Sequence, residues 1–151
     1  MTTPLTASGT NIALPAAVAV FEAINSGDLS RIPDLVTDDF IDHGSPVPLP
    51  PGPGGYTRIL TFVTQVLAIR YEVEDMFSTE DRIVVRATAD GIAVAAVHGS
   101  QAAGKPYRMA SLHVYRTEGD RLAEHWAVRD EYGVLAQTGF LSPPRPPIPA
   151  S

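Results

Sequence analysis

Apolar residues recur at helical spacing near the start of the chain. Val20, Phe21 and Ile24 fall on one side of Ala16–Ile24, just after Pro15, a residue well suited to a first helical position. The breaker cluster Asn25-Ser26-Gly27-Asp28 ends that helix, and a short second helix follows with Ile32, Leu35 and Val36 as its buried side. Pro33 is compatible with it only in its first turn. Asp38-Asp39-Phe40-Ile41-Asp42-His43 reads as a brief strand entering HGSPVPLPPGPGG, whose prolines lack the backbone donors a sheet member needs. Ile59, Phe62, Val63, Val66 and Leu67 restore the helical period and predict a third helix over Tyr56–Ile69.

Beyond that helix the period becomes two. Tyr71, Val73 and Phe77 partly alternate with Glu72, Glu74 and Ser78, and Arg82–Val97 is a long β-branched strand with a bulge or bend expected at Asp90-Gly91. Gly99–Pro106 is a loop and Tyr107–Arg116 a strand. Thr117-Glu118-Gly119-Asp120 is a tight turn leading into the hairpin partner Arg121–Val128. Helices first and antiparallel strands later argue an α+β fold, with the helices covering one face of a curved sheet. The organisation expected is a flexible N-terminus over 1–10, one domain over 11–141 and a proline-rich tail over 142–151.

Charge and composition then narrow the function. A net charge of −6 without clustered Lys or Arg disfavours nucleic acid and anionic membrane surfaces as partners, and favours a neutral or cationic small molecule. With no cysteine, thiolate catalysis, disulfides and Cys-ligated zinc are excluded. No segment approaches the roughly 20 apolar residues of a membrane span and the N-terminus has no basic leader, so a cytoplasmic location is expected. Four histidines without an HExxH-type spacing give no support for a metal site. Gly52-Pro53-Gly54-Gly55 lacks the Lys-Ser/Thr of a phosphate loop, and no Gly-x-Ser-x-Gly elbow occurs.

Candidate chemistry gathers on the last hairpin. Alternation puts Met109, Ser111, His113 and Tyr115 on one face of the first strand, a mixture of apolar bodies and polar tips that suits a cavity wall. The alternative for His113 is a core histidine bonded to a carbonyl. The partner strand splits into Leu122, Glu124, Trp126 and Val128 against Ala123, His125, Ala127 and Arg129. A one-residue change of register exchanges these faces, so either His125 or Trp126 looks inward. Asp130 stands where it can orient an imidazole at a cavity mouth, or else cap the short helix Tyr132–Gln137. Asp42 and His43 end the first strand beside a loop able to fold over a pocket; the alternative is a surface Asp and a turn-capping His.

The stretches "NSGDLSRIPDLVTDDFIDHGSP", "PGPGGY", "EDRIVVRATADG" and above all "GKPYRMASLHVYRTEGDRLAEHWAVRDEYGVLAQTG" resemble the SnoaL-like polyketide cyclases of the NTF2-like superfamily over about Val18–Phe140. The resemblance implies a conical α+β barrel, a strongly curved antiparallel sheet wrapped around the N-terminal helices and a deep apolar pocket, commonly dimerised through the sheet's outer face. In those cyclases a sheet histidine and an aspartate serve acid/base catalysis; His113 matches the histidine, while the catalytic aspartate falls on Ala127, which cannot transfer a proton. Asp130 matches another acidic position common among relatives. Asp42-His43 matches the region where ketosteroid isomerases, elsewhere in the superfamily, hold a general base. The Asp-Arg-Asp set of limonene epoxide hydrolases has no counterpart, because the hairpin strand lacks an Arg-x-Asp pair.

The reading that follows is a cofactor-free enzyme that cyclises or isomerises a carbonyl-bearing apolar small molecule. His113 or His43 would act as base and Asp130 would fix its tautomer. Tyr115 or Ser111 would donate to an oxyanion, and Asp42, His125 and Trp126 would contact substrate, Trp126 by stacking if inward. Neither a metal nor a cofactor is expected, and a homodimer is. A non-catalytic binder of a hydrophobic molecule is the alternative, favoured by Ala127. A structural module using the sheet face and the tail is a third reading, and fold alone does not choose among them.

Overall fold

The computed structural model describes residues 7–142. Helix α1 (Leu14–Ser26) begins with Pro15 in its first turn and buries Ala16, Ala17, Val20, Phe21 and Ile24. It ends at Gly27, whose φ of 79° lets its N–H turn back to the carbonyls of Ala23 and Ile24. Helix α2 (Ile32–Leu35) is a single turn, and β2 (Val36–Asp42) starts one residue after it; β1 (Ala7–Ser8) lies upstream of α1. Val36 is therefore buried as a strand residue, not as the last of the helix. Helix α3 (Pro53–Thr61) starts inside the expected loop with Pro53 in its first turn, and continues as a π-helical turn over Phe62–Val66. The sheet is completed by β3 (Arg70–Ser78), β4 (Arg82–Ile92), β5 (Pro106–Glu118) and β6 (Arg121–Arg129), with the single turn α4 (Ala95–His98) between β4 and β5 and α5 (Glu131–Gln137) after β6.

The six strands form one curved, unclosed sheet in the order β1-β3-β4-β5-β6-β2. The run β3-β4-β5-β6 is antiparallel, as the chain pattern predicts, but both edges are parallel: β1 on β3 and β2 on β6. Within the 1–10 segment, Ala7–Ser8 pairs with Met76–Phe77; residues 1–6, and the proline-rich tail from 143 on, lie outside the described residues. Strand β4 ends at Ile92 instead of Val97. It runs without a bulge through Asp90-Gly91, where Gly91 is needed for space: a Cβ there would stand 2.5 Å from the Tyr107 ring. The register shifts instead between Val73 and Asp75 and between Arg116 and Thr117. Helix α1 packs on β3 and α3 on β2, and they close one apolar core over the concave face.

Candidate active site

Alternation along β5 turns Tyr107, Met109, Ser111, His113 and Tyr115 to the concave side, where all five are buried. The register of β6 against β5 settles the second strand. Ala127 pairs with His113 and His125 with Tyr115, so His125 enters the interior while Trp126, opposite Val114, points out. The inward residues of β5 and β6 wall a cavity of about 360 Å³ roofed by Phe21 of α1, Tyr56 and Leu60 of α3, and Val134 of α5. Its size and mainly apolar lining are those of a small-molecule site.

A continuous hydrogen-bonded chain runs along one wall. Asp42 Oδ1 lies 2.7 Å from His125 Nδ1, His125 Nε2 lies 2.9 Å from His113 Nδ1, and His113 Nε2 lies 3.1 Å from Ser111 Oγ, which donates to the Ala87 carbonyl at 3.0 Å. The last link fixes the direction of the others, because a carbonyl only accepts. Ser111 spends its proton on Ala87, so His113 donates from Nε2. Burial, and then the charges of His125 and Arg129, hold the His113 pKa well below 6.5, so this ring is neutral and its Nδ1 accepts from His125 Nε2–H. The short bond between Asp42 and His125 ends the chain at a carboxyl group. Both side chains are closed off from solvent, at 5% and 4% exposure.

Asp42 gets there through sheet pairing. It is the register partner of His125 across the parallel β2–β6 edge, and the Gly44 N–H donates to the same Oδ1 at 2.8 Å. Gly44 packs tightly here: a Cβ would lie 3.1 Å from both His125 Cε1 and the Ala127 Cβ, so those neighbours would have to shift to admit one. The loop after β2 thus fills the space beside Ala127, and Asp42 supplies the carboxylate on this wall. Beside it, the hydroxyls of Tyr56 and Tyr115 lie 2.9 Å apart, and the Tyr115 ring stacks on His125 at 4.6 Å between centroids. Burial raises the pKa of both hydroxyls, so both stay protonated. One proton serves their mutual bond, leaving the other O–H available to a bound molecule.

Three expected site residues lie elsewhere. His43 follows the last residue of β2 and is exposed, its Nε2 2.7 Å from Glu124 and its ring stacked on Trp126 at 5.0 Å on the outer side of the sheet. Trp126 is excluded from the cavity by the alternation that brings His125 in. The Asp130 carboxylate accepts from the Gly133 N–H at 2.9 Å and caps α5, satisfying an orphan helix donor instead of an imidazole. Conversely, Tyr56, Tyr71 and Arg129 line the cavity. Tyr56 was hidden inside a helix pattern, and Arg129 could have been found by following the His125 face two residues further.

The family model of the SnoaL-like polyketide cyclases matches residues 16–138. This chain belongs to the SnoaL-like polyketide cyclase family. Among solved structures, IdmH of Streptomyces antibioticus is 28% identical, with 83% of this chain and 96% of that one covered at a TM-score of 0.70. A SnoaL-like polyketide cyclase of Agrobacterium tumefaciens is 18% identical, with coverage of 85% and 98% and a TM-score of 0.71. An LEH-like epoxide hydrolase of Mycobacterium tuberculosis, 12% identical with coverage of 85% and 90% and a TM-score of 0.67, shares the fold. No curated protein matches the chain by sequence. Within this SnoaL-like domain no group of three or more His, Cys, Asp or Glu side chains is placed to hold a metal ion, and no helix is long and apolar enough to cross a membrane, both among the described residues.

Proposed function

We propose that this SnoaL-like protein is a cofactor-free acid/base enzyme that enolises a carbonyl-bearing apolar small molecule on the way to cyclisation or isomerisation. The observation that carries the reading is the buried Asp42–His125 bond opening onto an apolar cavity. Both nitrogens of His113 are engaged, so the base is the Asp42–His125 pair: Asp42 takes a proton from the carbon next to the carbonyl, and His125 holds the carboxylate in place. The electron pair moves onto the carbonyl oxygen, which receives the free O–H of the Tyr56–Tyr115 pair. The proton remains at the Asp42 end, because charging His113 in its buried setting is unfavourable. Returning it to another carbon completes an isomerisation; attack of the enol carbon on a second carbonyl closes a ring.

The test needs no knowledge of the natural substrate. In D₂O, 2-tetralone exchanges its α-protons slowly; the wild-type protein is expected to accelerate that exchange above buffer, read by NMR. Binding of the ketone with exchange at the buffer rate would overturn catalysis and leave the binder reading, which the internal saturation of the His113–Ser111 links favours.

The outer sheet face supports a homodimer. Leu112 and Val128 are register partners there, 50% and 75% exposed, beside Trp126. The native chain should elute at twice its mass in size-exclusion chromatography and Val128→Lys at the monomer mass.

A further inference from the structure

The arginine that lines the cavity has no anion beside it, whereas Arg82, Arg86, Arg108 and Arg116, all outside the cavity, each hold a carboxylate between 2.6 and 3.0 Å away. Arg129 lines the cavity, and among the described residues no carboxylate lies within 4.0 Å of it, although the chain carries 17 Asp and Glu. Glu131, on the same wall, lies beyond that distance and is exposed. The guanidinium donates one N–H, from Nη1, to the Gly44 carbonyl at 2.8 Å and lies beside the Tyr71 hydroxyl, whose burial-raised pKa it eases back. Gly44 and Tyr71 are both neutral partners, so the positive charge of this partly buried side chain is unbalanced at a mainly apolar cavity and an incoming anion is favoured there.

We propose that Arg129 receives an acidic group of the substrate, so that the molecule this site takes is an apolar carbonyl compound carrying a carboxylate. The assignment rests on the acid/base reading above and deepens it. Gly44 joins the two functions: its N–H holds Asp42 and its carbonyl holds Arg129. The anion and the carbon that loses its proton are therefore recognised from neighbouring points of one loop. The overall charge of −6 describes the surface as a whole, while the local sign in the cavity is positive at Arg129.

The experiment compares 2-naphthoate with 2-naphthamide, equal in shape and different in charge, by calorimetric titration of the full chain near neutral pH. Wild type is expected to bind naphthoate roughly 10- to 100-fold more tightly. Arg129→Gln should bring naphthoate down to the affinity of naphthamide, while Arg129→Lys should keep most of the preference; a purely structural role for Arg129 would move both ligands together. Equal affinities in wild type, or a preference that survives in Arg129→Gln, overturn the assignment. If that occurs while 2-tetralone still exchanges, only the acidic-substrate inference fails. If neither naphthalene compound binds and tetralone does not exchange, the acid/base reading fails with it.

Discussion

Asp42 and His125 are paired twice, by backbone register across the parallel β2–β6 edge and by a 2.7 Å side-chain bond. The backbone pairing makes the side-chain contact a property of the sheet instead of a mobile loop, which is what a pre-organised proton-transfer group requires. Asp42→Asn keeps the shape and removes the base. It is expected to lower tetralone exchange by roughly 10²–10⁴-fold. An unchanged rate in a variant with a normal melting curve would remove Asp42 from the mechanism.

His113 ties stability to pH. In the unfolded chain it binds a proton near pH 6.5, while the fold excludes that proton until lower pH. Between those values the unfolded state holds more protons, so this group's effect is to reduce stability as pH falls below about 6.5, by up to ~1.4 kcal/mol per pH unit. Above that pH it has no such effect. His113→Gln excludes no proton and should show a flatter dependence of the urea midpoint as pH falls from about 6.5 to about 5. Identical slopes for the two proteins would sink the neutral His113 on which the proton chain is built.

The tyrosine pair predicts non-additivity. Tyr56→Phe or Tyr115→Phe alone strands a buried hydroxyl, at about 1–3 kcal/mol each. The double variant strands none, and its loss should fall short of the sum by about 0.5–3 kcal/mol. Denaturant titrations of the four proteins close the cycle, and simple additivity would mean that the 2.9 Å bond has no energetic weight.

Asp130 and Trp126 predict where activity is insensitive. Asp130→Ala removes the α5 cap and should cost about 0.5–2 kcal/mol of stability with the exchange rate retained. Trp126→Ala, on the outer face, should likewise leave exchange unchanged, its effect confined to that face, where the ring stacks on His43. A hundredfold loss in either variant would return these residues to the site.

How far the chain itself revealed the site follows from the range of each interaction. The inward face of β5 was legible because alternation is local: once Tyr107–Arg116 is a strand, Ser111, His113 and Tyr115 share a side. The same rule applied to β6 gave two sets of residues and no choice between them, since register is a non-local property. Asp130 offered two local roles, and the helix donor at Gly133 won because a cap is formed within four residues while an imidazole partner must be brought from elsewhere. The parallel pairing of β2 was not legible at all: nothing in Val36–Asp42 names its neighbour.

By itself, then, the sequence determined the order of helices and strands, the concave face of β5, the absence of thiol chemistry and the family pattern that ends in Gly139. Those are consequences of periodicity, propensity and composition, which act over a few residues. Tertiary structure alone decided that Asp42 meets His125, 83 residues away, that Tyr56 meets Tyr115 and that Arg129 lines the cavity with no carboxylate of the described residues within 4.0 Å. Those contacts depend on how the β2 edge and α3 close over the curved sheet, and no short window of the chain contains both partners.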